Sequence, residues 1–434
     1  MNSIQTIAIL VFIITFILIA VEAIHRTHAS LLGAFAFMLI GAVSPEDMLL
    51  FIDIDILAVI LGLFLLIRGA ERSGLFQLLA VKIMRNSKSP TSFAIILLSF
   101  TMLLSLLVSN IGSMLIMASI TITMAKSLKI KPQTLLIFQA IVINIGGMTL
   151  WTGSIPNIII GIEGNLSFMD FIVNVLPLGI LLFAATLLIF VKLFKKDFTP
   201  EPEAEFRDME FDEWIERAID VSGLRGSRMD WGKTSAAIIL IGTIVGFITY
   251  ERFNMTPSFV ALAGGFLMLM VQSKEPSNIL REVDWSTIIF LGSLFIMING
   301  LGNIGIIEIL SHSLSGFIGR TPMRATISLM WISGIFSSLI DNIPLSTSLA
   351  PIIRDLVTDD SWASLWWGLV IGANLGGNMT PIGSPSTIIA IGISDQEGYP
   401  IPFTTFLKMG VGLTVVHFVI SMIYLYIKYG ILSM

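Results

Sequence analysis

The sequence predicts an all-α integral membrane protein made of two inverted repeats. Each repeat has about five transmembrane helices and a re-entrant helical hairpin, and broken helices lie at the centre. Three observations predict this: an apolar composition, segment pairs at a nearly constant offset, and matched glycine and proline interruptions of apolar helices.

Of the 434 residues, 55% are hydrophobic and 13% are charged. A soluble domain carries about 25% charge, so much of this surface has to face lipid. Long apolar runs recur at 4–21, 28–43, 55–67, 171–191, 235–249 and 404–427, and about 20 such residues cross a hydrocarbon core. The first run has no basic flank before it and no small-residue cleavage site after it, so it reads as a retained span. With no cysteine in the chain, thiolate metal sites, disulfides and Cys nucleophiles are excluded.

The repeat organises the rest. Asp53–Phe76 resembles Asp284–Ile307 at an offset of 231, and Ser109-Asn110-Ile111 matches Asp341-Asn342-Ile343 at 232. Asn144–Ile160 matches Asn374–Ala390 at 230. Three matches at nearly one offset mean duplication. The halves are 1–192 and 233–434, joined by a charged, Pro-rich linker at 193–232 that reads as a cytoplasmic tether. Within it, Glu203–Ile219 could form a surface amphipathic helix.

In the first half the expected crossings lie near 4–21, 24–44, 52–70, 133–162 and 168–192, with a hairpin at 91–126. In the second they lie near 233–250, 257–273, 286–304, 364–393 and 405–427, with a hairpin at 323–357. An odd number of crossings inverts the second half, the usual construction of secondary transporters. The basic residues orient the chain. Placing 22–28, 68–90, 126–132, the linker with its flanking Lys192 and Lys233, 274–285 and 394–408 in the cytoplasm puts 20 of the 25 Lys and Arg inside. Only Arg252, Arg320, Arg324, Arg354 and Lys428 are then outside, and both termini face outward.

Two polar stretches interrupt the fourth crossings: Asn144-Ile-Gly-Gly-Met-Thr-Leu-Trp-Thr-Gly-Ser-Ile-Pro-Asn157 and Asn374-Leu-Gly-Gly-Asn-Met-Thr-Pro-Ile-Gly-Ser-Pro-Ser386. Gly-Gly followed by Pro does not hold a regular helix, and unwound backbone at membrane depth has to be buried in protein or line a cavity. The candidate substrate residues are Asn144, Gly146, Gly147, Thr152, Gly153, Ser154 and Asn157, with Asn374, Gly376, Gly377, Asn378, Thr380, Gly383 and Ser384. The competing reading is that the small residues serve tight helix packing. The hairpin tips add Ser109, Asn110 and Asn342, and Asp341 as an ion-coupling carboxylate. No Lys or Arg lies in the apolar segment beside Asp341, and nothing basic is expected in the core. His417 reads as a packing residue, and Arg68, Glu71 and Arg72 as a cytoplasmic boundary cluster. No His/Glu cluster or Ser-His-Asp set suggests an enzyme.

The Ser-Asn and Asp-Asn-Ile-Pro tips, Asn-Ile-Gly-Gly with Gly-Ser-Ile-Pro-Asn, and Gly372-Ala-Asn-Leu-Gly-Gly-Asn-Met-Thr-Pro-Ile-Gly-Ser-Pro385 resemble the ion transporter superfamily. They are most similar to its arsenite permease and P-protein branch, which shares a citrate transporter-like domain. The resemblance covers nearly the whole chain. It implies a scaffold, a mobile transport domain built from the hairpins and broken helices, a homodimer and elevator-like alternating access. It also implies paired tips at Ser109-Asn110 and Asp341-Asn342, a possible sodium site, and paired loops at Asn144–Asn157 and Asn374–Thr387. Two departures weaken transfer of carboxylate specificity: Asp341 replaces a neutral residue, and Thr387 stands where Asn is common.

The expected function is secondary active transport of a small oxyanion-like or hydroxylated solute, as in arsenite or antimonite efflux, coupled to protons or sodium. The alternatives are a sodium/proton antiporter and a di- or tricarboxylate carrier. Beyond the carried or coupling H+ or Na+ no cofactor is expected. The partners are the solute, the bilayer of the cell membrane and a second copy of the chain, with no nucleic acid.

Overall fold

The computed structural model describes residues 3–21, 23–128, 130–194, 213, 215, 229–272, 275–319 and 321–431. Among the described residues helices are the only regular elements. Most of the 193–232 linker, including most of Glu203–Ile219, lies outside them.

The first half runs α1 (Ser3–Ala20), α2 (Arg26–Leu39), α3 (Ile54–Arg72), α4 (Leu75–Met84), α5 (Pro90–Ser105), α6 (Asn110–Leu128), α7 (Gln133–Thr149), α8 (Ile155–Glu163), α9 (Phe168–Asn174) and α10 (Leu176–Ile189). The second runs α11 (Trp231–Thr249), α12 (Pro257–Gln272), α13 (Trp285–Asn303), α14 (Ile306–Ile318), α15 (Pro322–Ser337), α16 (Asn342–Leu356), α17 (Ser364–Gly376), α18 (Pro385–Gln396) and α19 (Phe403–Leu425). The order repeats, and so do the local causes of it. Asp53 and Asp284 cap α3 and α13 by accepting from Ile56 N at 2.9 Å and Thr287 N at 3.0 Å. Gly74 and Gly305 take φ of +74° and +76°, conformations only glycine adopts cheaply, and start α4 and α14. These two helices are short. They interrupt stretches that hydropathy alone reads as connections.

Among the described residues five helices are long and apolar enough to cross a membrane: Ser3–Ala20, Leu176–Phe194, Trp231–Phe253, Trp285–Asn303 and Phe403–Gly430. Three of the four hairpin arms, α5, α15 and α16, are shorter. At about 1.5 Å per residue, the 16 residues of α5 or α15 reach only about 24 Å, less than a hydrocarbon core. The fifth crossing of the first half is two pieces, divided just before Pro177.

The packing is reciprocal between halves. α3 lies on α12 while α13 lies on α2; α6 lies on α18 while α16 lies on α8. Each contact has a counterpart with the halves exchanged. Two modules result. The outer one holds α1–α3 and α11–α13, where Gly62 meets the α12 backbone so closely that an added Cβ would stand 2.3 Å from Ala261 C. The core module holds α5–α8, α10 and α15–α19, with α7 and α17 buried along nearly their whole length at its centre. α4 packs on α3, α5 and α11, and α14 packs on α13, α15 and α16, so both bridge the modules.

Candidate functional site

Residues 150–154 separate α7 from α8, and 377–384 separate α17 from α18. α7 runs through Gly146-Gly147 to Thr149 and α17 stops at Gly376, and each restart is led by proline, as predicted from sequence. The two interruptions are closed by the same device. A Cβ on Gly153 would stand 2.6 Å from Gly147 O, and one on Gly377 2.6 Å from Gly383 O. Gly146 and Gly376 sit instead at helix crossings, against Met102 and Ser105 of α5 and against Gly334 of α15. Both stand where helices pack closely.

Four buried asparagines link the pieces. Asn144 accepts from Asn110 Nδ2 at 2.9 Å and from Ser384 Oγ at 3.0 Å, and donates to Asn378 Oδ1 at 2.7 Å. Asn374, its repeat mate, accepts from Ser154 Oγ at 2.9 Å and donates to Asn157 Oδ1 at 2.8 Å. Each half's serine thus serves the other half's asparagine. Asn157 Nδ2 lies 2.7–2.9 Å from the carbonyls of Gly147, Met148 and Leu150, freed where α7 ends. Thr387, at the matching place, has a buried Oγ1 without a partner. Thr380 Oγ1 ties the second loop to Ser338 O at 2.5 Å.

A cavity of ≈ 220 Å³ lies beside this network. Its polar wall includes Ser109, Asn110, Thr152, Gly153, Ser154 and Asn342, and its apolar wall includes Ile60, Leu63, Phe64 and Ile67 of α3. The structure therefore brings six of the sequence-derived candidates to one surface. Asn144, Asn157, Asn374, Asn378 and Ser384 stand behind it, buried, with side chains engaged by one another. The Asn110 Oδ1 is buried and has no hydrogen-bond donor; it stands 2.4 Å from where a Cβ on Gly147 would be.

The expectation that nothing basic reaches the core is overturned. Arg26 and Arg68 line the cavity, with Glu71, Asp284 and Thr287. Arg26 donates to Asp341 Oδ2 at 2.9 Å, and Asp341 Oδ1 accepts from Ile343 N at 3.0 Å as the cap of α16. Both carboxylate oxygens are engaged. Arg26 escaped the sequence reading because it starts α2, 315 residues from Asp341, outside any apolar run near it. Arg68 pairs with Glu71 at 2.8 Å, and Glu71 Oε1 stands 2.5 Å from where a Cβ on Gly112 of the first hairpin would be. Two members of the boundary cluster, Arg68 and Glu71, are part of the cavity wall, while Arg72 pairs with Glu282 instead. His417 is buried and lies 2.9 Å from Thr186 Oγ1 through Nε2. Among the described residues no group of three or more His, Asp or Glu could hold a metal ion.

The model of the citrate transporter family CitMHS matches residues 16–372. The chain belongs to this family. It is a multi-pass membrane transporter, and curated relatives agree. A 46 kDa membrane protein of Mycobacterium leprae is 28% identical over 99% of this chain and 100% of its own length. The human P protein is 26% identical over 99% of this chain, which spans 60% of that protein, as the motif resemblance implies. Among solved structures, the Alcanivorax borkumensis YdaH transporter shares the fold, with a TM-score of 0.57 at 12% identity, over 91% of this chain and 88% of that one.

Proposed function

We propose that this CitMHS-family protein is a secondary active transporter of a small oxyanion-like or neutral hydroxylated solute, of the arsenite or antimonite type, coupled to a proton or sodium gradient. One observation carries the choice. The cavity offers hydroxyl and amide groups, and its arginines are already matched, Arg68 by Glu71 and Arg26 by Asp341. A tricarboxylate would find no unmatched positive charge there, whereas a hydroxylated solute needs only hydrogen bonds.

The second reading is a di- or tricarboxylate carrier. The family's name and the presence of Arg26 and Arg68 in the cavity wall favour it, provided a carboxylate displaces their partners. Asp341 is the coupling group in either case, and the unpaired Asn110 Oδ1 offers a sodium ion one neutral oxygen ligand.

Two inverted repeats, 1–192 and 233–434 around the 193–232 linker, account for the reciprocal packing and the distribution of basic residues. In this reading the outer module is the scaffold of a homodimer in the cell membrane, and the core is the elevator. Both termini are extracytoplasmic, and the cavity wall bearing Arg26 and Arg68 faces the cytoplasm. The deciding experiment is flux in proteoliposomes, comparing arsenite, citrate and sodium under an imposed proton gradient. Gradient-driven arsenite movement is expected. Citrate movement alone supports the second reading, and sodium movement without either solute supports sodium/proton antiport. Asp341→Asn should abolish gradient-driven flux while solute still binds.

A further inference from the structure

Arg26 does more than line the cavity. Its two terminal nitrogens divide between modules: Nη1 donates to Asp341 Oδ2 at 2.9 Å, on the core, and Nη2 to Thr287 Oγ1 at 2.8 Å, on the outer module. Thr287 Oγ1 donates in turn to Asp284 Oδ2 at 2.5 Å, and that carboxylate lies 3.9 Å from Arg26 Nη2. The guanidinium also sits 5.3 Å from the centre of the Phe290 ring, within cation–π range. Three contacts from α13 and its cap therefore hold Arg26, the first residue of α2, against the tip of the second hairpin. The pairs Arg68–Glu71, Arg72–Glu282, Lys126–Glu397 and Arg354–Glu163 each lie within one module. Arg26–Asp341 crosses between them.

The duplication gives this contact a direction. At the repeat offset, Asp341 corresponds to Ser109 and Arg26 to Pro257, so the other half has neither charge. In a transporter of two exchanged halves, the opposite-facing state is made by each half adopting the other's arrangement. An ion pair present in one half only must then favour one facing over the other.

We propose that Arg26 is a positioning residue that latches the second hairpin tip to the outer module, and that the coupling ion must displace it before the core moves. The inference rests on the reading of Asp341 as the coupling group and adds the competitor. The Asp341 oxygen that holds Arg26 is the one a proton or cation would have to take. Loading the ion and freeing the tip become one event, which prevents movement of the unloaded core.

The test needs no known solute, because the chain has no cysteine. Ile155→Cys places a single thiol in the cavity wall. Its labelling by a membrane-impermeant maleimide is measured separately from each face of sealed proteoliposomes, with the native chain as blank. With Arg26 intact, labelling is expected from the Arg68 face. In Arg26→Gln that rate should fall, and labelling from the opposite face should rise by about fivefold, the population ratio a half-buried pair sustains. The exchanged pair, Arg26→Asp with Asp341→Arg, should return labelling toward the original face. Unchanged labelling in Arg26→Gln overturns the latch whatever the flux. Asp341→Asn removes the same pair and carries the test if Arg26→Gln does not purify folded. If Asp341→Asn shifts the labelling yet leaves gradient-driven flux intact, the latch stands and the coupling role of Asp341 falls.

Discussion

Asn144→Ala examines the central network most directly. The Asn144 side chain is fully buried and makes three good hydrogen bonds, to Asn110, Ser384 and Asn378. Alanine leaves an amide N–H and an amide oxygen without partners, while the Ser384 hydroxyl keeps Ser386 Oγ at 2.8 Å. Each orphaned buried group costs about 1–3 kcal/mol, so the gross loss is about 2–6 kcal/mol. Water entering the vacated amide space would recover part of this, and a net loss of about 2–4 kcal/mol is expected. The assay is reversible unfolding of the purified protein in mixed detergent micelles, followed by a spectroscopic probe of helix content. A loss below about 1 kcal/mol would refute the reasoning, because it would mean that these groups are solvated or paired differently. Transport should fall as well, through Asn110. That residue is at once an Asn144 partner and a wall of the cavity, so its position depends on the network behind it.

Other outcomes follow from the same geometry. Gly376→Ala would put a Cβ 2.2 Å from Gly334 O and 2.6 Å from its Cα, backbone that cannot rotate away; the α15–α17 crossing must open, at about 1–3 kcal/mol in the same assay. Thr387→Asn should supply the second loop with the carbonyl-bridging amide that Asn157 gives the first; a gain of about 1 kcal/mol is expected, and a loss would show that the two loops differ in more than this residue. Lys88→Cys, on an exposed turn, should be labelled only from the cytoplasmic face of intact cells. Labelling from outside would reverse the orientation drawn from the basic residues.

What was legible in the sequence was what is local. The hairpins and broken helices announce themselves through Ser89-Pro90, Gly-Gly pairs and Ser-Ile-Pro or Ser-Pro-Ser restarts, because capping and helix breaking act within a few residues. α4 and α14 read as connections in the sequence, although Gly74 and Gly305 stand at equivalent places, since a helix of 10 or 13 residues is too short for hydropathy to separate from a loop. The asparagines show a harder limit. From sequence, an amide in an unwound membrane segment looks like a ligand for solute. Whether it faces a cavity or another asparagine depends on partners 217–240 residues away, as with Asn374–Asn157 and Ser384–Asn144. Arg26 is harder still, because its partner lies in the other half. Yet it left a trace. Arg26 against Pro257 and Asp341 against Ser109 are places where the duplicated halves disagree in charge. Two disagreements of opposite sign in one half-buried neighbourhood are what an ion pair acquired after duplication would leave, since either charge alone would be costly there. In a duplicated membrane protein, departures from the repeat therefore point to the contacts by which one half differs from the other. Such contacts are where direction can enter a transport cycle that the repeat alone would leave symmetric.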